Sequence, residues 1–597
     1  MNKLNRLFPG TVIESFFSCW ALMKLGRFES GNIVTGIFFI MSCYLFYHIN
    51  VTLAKKEYTR LHQQVSFLLA FFFTIFYVGV DYVNYISGLT NHLFQAIILG
   101  AVSLGLFTLL YKLILLLYSY TTDVSHCTAF LQGLHVHSLS DTRFHLLHKL
   151  TSFVKKHPFC FATGFCMLCW MPYFLYEYPG IMTPDSINQF EQVLGVIPYS
   201  NHHPWVHTLL IKLFYDIGSL FTDDMVVAIS FYTFFQMLTM ACIVGYFIAT
   251  LIKLKVRSGI CIAFVLFYAL VPFHAVFVVT LWKDVLFAGG VLLFTTTLLR
   301  LTRFTTRGDF LLYFVAGVML CLLRSNGWYA FLVTLPFLLY YFRKQWKVMV
   351  PVQLGILLLA LLVKYPIMNA CQVEQPDFIE SLSIPTQQIA AVICNDRELT
   401  QEQWNLVHHV IDTTYIKELY DATFADNMKE LVRAGHQEYL VAHKAEYLQL
   451  WLQLLVRYPF DYLKAYTYQT FGYWYPDSFY KVADIDGISG SDLGISHTPL
   501  IGGPLVIKAK EISIKLGSMI PLYSLLWSMG VLLWVFLLCI GNSWIRKERL
   551  KLIFYLPGFM IMLTVLIATP VATEFRYVYF LVYTLPLYLV VSLLPKS

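Results

Sequence analysis

The segment 179–207 reads PGIMTPDSINQFEQVLGVIPYSNHHPWVH and brings a carboxylate and imidazoles into one loop. Asp185 stands in a Thr-Pro-Asp-Ser turn whose backbone is fixed by Pro184. His202, His203 and Pro204 then open the apolar stretch 205–221. A carboxylate so placed can act as general base toward a hydroxyl, and imidazoles can contact a phosphate. An ordinary polar loop with a turn-forming Asp accounts for the same residues and stays open. His203 and His207 have the spacing of metal ligands on a helix. Pro204 marks the helix start, however, so His203 falls before the helical face, and no third ligand is evident. A divalent metal remains an alternative, but no metal site is assigned.

Three further motifs carry cations: LWKD at 281–284, LLRSNGW at 322–328 and TEFRY at 573–577. They set Lys283, Arg324 and Arg576 at the mouths of apolar stretches. A charge at mid-bilayer costs roughly 2.5–3.5 kcal/mol, and less near the interface. Cheap anchoring is therefore one reading, with Lys283 paired to Asp284 and Arg576 to Glu574. The other is a phosphate site, with cations at headgroup level and a lipid tail in the hydrocarbon. The segment FGYWYPDSF at 471–479 adds Tyr473, Trp474 and Tyr475, which could stack on a sugar ring or form an interfacial aromatic belt.

These residues must be held by membrane elements. Of 597 residues only 13% are charged, while 58% are hydrophobic and 17% aromatic. A soluble domain averages about 25% charged. The composition excludes a cytosolic globular enzyme, a disordered chain and a nucleic-acid binder. Apolar blocks near 31–53, 65–87, 92–118, 158–178, 225–251, 259–280, 284–301, 309–325, 327–343, 347–366, 519–541, 551–571 and 576–595 predict an all-α polytopic protein with about 13 transmembrane helices. The block before residue 30 is interrupted by Glu14, which predicts an interfacial segment or one extra crossing near residues 8–24.

Basic loops set the orientation. Lys55, Lys156, Lys253, Arg303, Lys344 and Lys547 mark cytoplasmic turns, with an even number of crossings between each pair. The same map places 179–224, Lys283, Arg324, 367–518 and Arg576 outside. Four parts follow: an N-terminal membrane unit, 1–157, with a cytoplasmic loop; a denser transmembrane unit, 158–366, with the outer loop 179–224; a mainly helical extracytoplasmic domain, 367–518; and the closing helices, 519–597. In the outer part, Thr400 and Gln403 predict a capped helix start. Cys371 and Cys394 fall there too, where a disulfide is permitted, two free thiols being the alternative.

Taken together, the TPDS, HHP, LWKD, RSNG and EFRY segments resemble the glycosyltransferase-C superfold of membrane glycosyltransferases. More narrowly they resemble an uncharacterised bacterial family of polytopic membrane proteins, over roughly 158–597. The resemblance implies that Asp185 deprotonates the acceptor hydroxyl and that His202 and His203 begin an interfacial helix. It also implies that Arg576 holds the donor phosphate, with Lys283 and Arg324 as second contacts. Many members have an acidic pair where this chain has Thr183 and Asp185, a departure that favours a metal-free reaction with a monophosphate donor and no cofactor. The expected activity is sugar transfer from a polyprenyl-phosphate donor to a glycan, lipid or protein acceptor of the cell envelope. It would take place at the outer face of a bacterial plasma membrane, among membrane lipids and without nucleic acid. The alternatives are a transporter or flippase of lipid-linked glycans, with Lys112 and Lys364 as mid-membrane ionisable groups, and a non-catalytic scaffold. The scaffold predicts Asp185, Arg324 and Arg576 far apart.

Overall fold

The computed structural model describes residues 2–28, 32–133, 145–479, 485–568, 570–571 and 574–595. They are mainly helical, with only isolated bridges of extended chain. Among them nine helices are long and apolar enough to cross a membrane, or ten if the bent pair Ser258–Leu270 and Pro272–Val278 is one span. That pair bends by 59°, because Pro272 lacks the N–H that would continue the first helix. Each of the thirteen expected blocks contains a helix, but three of these helices are shorter than the sequence implied. Arg307–Leu322 has 16 residues, and Ser325–Tyr341 and Met529–Ile545 have 17 each. At 1.5 Å per residue such a helix falls short of about 30 Å of hydrocarbon.

The N-terminal block is a single helix, Asn2–Leu25, packed against Ile33–Lys55 and His92–Thr121. Glu14 does not interrupt it, because Lys112 pairs with Glu14 at 3.0 Å and Asn50 donates to Glu14 at 2.9 Å. Asn50 also bonds Thr11 and accepts from Lys112, so the whole group is satisfied. The closing helices are not a separate layer. Phe536, Tyr555 and Tyr583 share one core with Trp170, Tyr268 and Phe294, and the Tyr583 hydroxyl donates to the Met240 carbonyl at 3.1 Å.

The segment between Ile379 and Tyr462 has its own core, built from residues such as Ile389, Val410, Leu431 and Tyr462. The expected capping box is present, with Thr400 accepting from the Gln403 backbone at the start of Gln401–Val410. Beyond Tyr462 the chain returns to the main core, where Tyr473 and Ile495 are buried.

Candidate functional site

Asp185 lies in the first turn of the helix Pro184–Leu194. Pro184 at the first position needs no N–H partner, an acidic first turn suits the helix dipole, and Gly195 closes the helix in the left-handed conformation. The chain entering this helix is extended. Ile181 N–H donates to the Val279 carbonyl at 2.9 Å, and Leu281 N–H to the Ile181 carbonyl at 3.0 Å. Met182 exchanges bonds with Gly487 and Ser489, in the later part of the segment 367–518. These pairings set the start of one helix beside the start of another, Lys283–Arg303.

Four side chains converge there. Asp185 Oδ2 lies 2.7 Å from Arg576 Nη1, 3.5 Å from Lys283 Nζ and 3.9 Å from His203 Nδ1. Lys283 Nζ donates to His203 Nδ1 at 2.8 Å, and Arg576 Nε also bonds Glu574 at 2.9 Å. Side-chain exposure is 29% for Asp185 but only 8% for His203, 14% for Lys283 and 15% for Arg576. The carboxylate is thus the member most open to a visitor.

Lys283 and Asp284, expected to pair with each other, diverge because adjacent helical residues do not share a face. Asp284 turns inward and forms a buried ion pair with Arg324. The Arg324 guanidinium lies 4.6 Å from the centre of the Tyr577 ring, and that of Arg576 lies 5.4 Å from it. Arg324 therefore stands one ring behind the cluster.

Sequence reading passed over two members. Trp282 packs under the Arg576 guanidinium at 5.0 Å and donates from its indole to Thr183 at 2.8 Å. Tyr577 separates the two arginines. Both stand inside the LWKD and TEFRY motifs, where only the charged positions had been singled out. Thr573 of the latter lies outside the described residues.

The histidines divide by environment. His202 is exposed and lies edge-on to His203 at 4.7 Å. His207 is fully buried on the surface helix Trp205–Ser219, its ring nitrogens engaged by Gln189 at 2.9 Å and Tyr232 at 2.6 Å. Gln236 continues this chain to the carbonyls of Val278 and Thr280, bracing the turn before Lys283.

Burial works against ionisation of Asp185, but the charges of Lys283 and Arg576 outweigh it and hold the carboxyl well below its usual range. Burial, with Lys283 alongside, pushes His203 down to about 2. Burial, and again Lys283, pushes His207 down to about 3. Both imidazoles are therefore neutral at pH 7, and His203 accepts from the lysine.

Of the alternatives left open, neither sugar stacking nor the disulfide is met among the described residues. Tyr473 is wholly buried, while Trp474 and Tyr475 pack on Phe76 and Tyr77 of the helix Arg60–Ile86, at 5.1 and 5.0 Å. These rings form a seam between helices, not an open platform for a sugar. Cys371 and Cys394 are free thiols: Cys371 caps the C-terminal end of the span Arg343–Ala370, whereas Cys394 ends Ser383–Cys394 with its sulfur on the Ile416 carbonyl.

A family model described as "Family of unknown function (DUF6020)" matches residues 196–595. The chain belongs to this family. The matched region takes in His202, His203, Lys283, Arg324 and Arg576 and begins downstream of Asp185. No curated protein and no solved structure matches the chain.

Proposed function

We propose that this protein is a membrane glycosyltransferase of the glycosyltransferase-C kind. It would move a sugar from a polyprenyl-phosphate donor to a cell-envelope acceptor at the outer face of the plasma membrane. The observation that carries this reading is the contact of Asp185 with both Arg576 and Lys283, from three distant parts of the chain, at the side assigned to the exterior by the basic loops.

In this reading Lys283 and Arg576 hold the donor phosphate, and Trp282 and Tyr577 keep the Arg576 guanidinium aimed. A bound phosphate takes over the two cations that now restrain Asp185, so the carboxylate regains basicity as the donor arrives. Asp185 then accepts the acceptor's hydroxyl proton. The acceptor oxygen bonds to the anomeric carbon while the bond from that carbon to the phosphate oxygen breaks. The electron pair leaves with the lipid phosphate, whose growing charge the cations stabilise in a site partly shielded from water. Neutral His203 fixes the Lys283 ammonium in place. The thirteen apolar blocks would all cross the membrane, the three short helices within a locally thinned bilayer.

The test is Asp185→Asn in proteoliposomes supplied with a polyprenyl-phosphate sugar. Transfer should fall by about 10²–10⁴-fold, with the protein still inserted. Transfer near the wild-type rate would refute the assignment.

A further inference from the structure

On the far side of the helix Pro459–Trp474 from the Asp185 cluster lies a second feature. The inward face of this helix carries Gln469, bonded to the Pro570 carbonyl at 3.2 Å, and buried Tyr473. Its other face borders a cavity of about 500 Å³, closed on the opposite side by Gly79, Val80 and Tyr82 near the outer end of Arg60–Ile86. That volume is within the usual range for small-ligand sites, about 300–1,000 Å³.

The cavity is apolar at one edge and cationic at the other. Phe460 and Leu463 line it and are 82% and 61% exposed. They continue a bare stripe on the preceding helix, Lys444–Arg457, that runs through Leu452 and Val456, the last 83% exposed. Such a stripe on an outer domain resting on the membrane belongs against lipid chains. Lys464 and Arg397 supply the charge. Arg397 holds Asp461 through Nε at 2.8 Å and Nη2 at 3.2 Å, with Asn395 on the same carboxylate at 3.0 Å. Its Nη1 makes no hydrogen bond among the described residues, and Lys464 has no ion-pair partner among them. Asp461 is thus neutralised, and the cavity keeps the charge of Lys464, whose ammonium lies 5.9 Å from the centre of the Tyr468 ring in the same lining.

We propose that this cavity holds the headgroup of an anionic phospholipid of the outer leaflet, with its chains along the stripe of Leu452, Val456, Phe460 and Leu463. A net-negative phosphodiester fits the charge, and bulk lipid fits the open apolar edge. The bound lipid would mortar the N-terminal unit to the outer domain. This proposal stands apart from the glycosyl-transfer reading, because it uses the opposite face of the helix.

The full chain, purified in detergent, can be tested by native mass spectrometry with dioleoylphosphatidylglycerol and dioleoylphosphatidylcholine. Retention should favour phosphatidylglycerol. Lys464→Gln should weaken that retention about fivefold, as expected for one cation at a lipid surface, while Lys464→Arg keeps it. Asp185→Asn should leave it unchanged, which separates this site from the other. Equal retention of the two lipids, or no effect of Lys464→Gln, would overturn the proposal. Displacement of phosphatidylglycerol by equimolar polyprenyl phosphate would overturn the choice of bulk phospholipid.

Discussion

The cations and acids of the outer site are matched one to one, so single substitutions have directional consequences. Asp284 and Arg324 are 1% and 8% exposed and neutralise each other. Replacing Asp284 by Asn strands a buried guanidinium, which should cost about 3–5 kcal/mol and lower the thermal midpoint in detergent. Arg324→Lys should be only partly tolerated, because an ammonium lacks the flat face that rests on Tyr577. The neutral histidines give a pH signature. His203 and His207 titrate far below 6.5 in the fold but near 6.5 in the unfolded chain. The unfolded state therefore gains protons first, and stability should fall as pH drops below about 6.5, by up to about 1.4 kcal/mol per pH unit for each group. Asp185 acts at lower pH: its contribution is present above about 4 and is lost in more acid solution. Thermal midpoints between pH 7 and pH 5 check this, and the slope should be shallower in His203→Gln. The charged members were legible in the motifs because Asp, Lys and Arg beside apolar stretches need a reason to be there. Their partners were not, since only the helical phase at the Lys283 and Asp284 step decides which faces Asp185 and which faces inward.

Among the elements, long apolar helices were legible from composition alone, and the helix start at Thr400 followed from local chemistry, whereas Pro184–Leu194 reads as loop because its apolar positions are few. The helix Asn2–Leu25 was ambiguous because Glu14 has no visible partner in sequence; Lys112 lies three helices further along the chain. Close approach of these helices depends on Gly105, where an added Cβ would run into the Phe17 carbonyl. Gly105→Ala should therefore destabilise the protein by about 1–3 kcal/mol, since the obstacle is backbone and cannot swing aside. A midpoint unchanged in that variant would show that the two helices are free to separate. The aromatic triplet misled for a related reason. A Tyr-Trp-Tyr run has the same composition in a helix seam as on a sugar platform, and only the facing Phe76 and Tyr77 distinguish the two.

At the scale of the whole molecule, the orientation inferred from basic loops makes a direct prediction. Cys371 is exposed and lies at the start of the outer part. In intact cells a membrane-impermeant maleimide should label it, and Cys371→Ser should remove that signal; labelling only after lysis would invert the map. A separate core within the polar insertion, from Ile379 to Tyr462, is a finding of the structure, and the union of the closing helices with the central unit depends on long-range contacts such as Tyr583 with Met240. The bond between Arg576 and Asp185 spans 391 positions of sequence, and this has a consequence for biosynthesis. Asp185 and Lys283 emerge from the ribosome long before Arg576, so an incompletely synthesised chain holds an acid and a lysine but not the guanidinium that completes the cluster. The cluster is therefore complete only once one of the last apolar helices has been made.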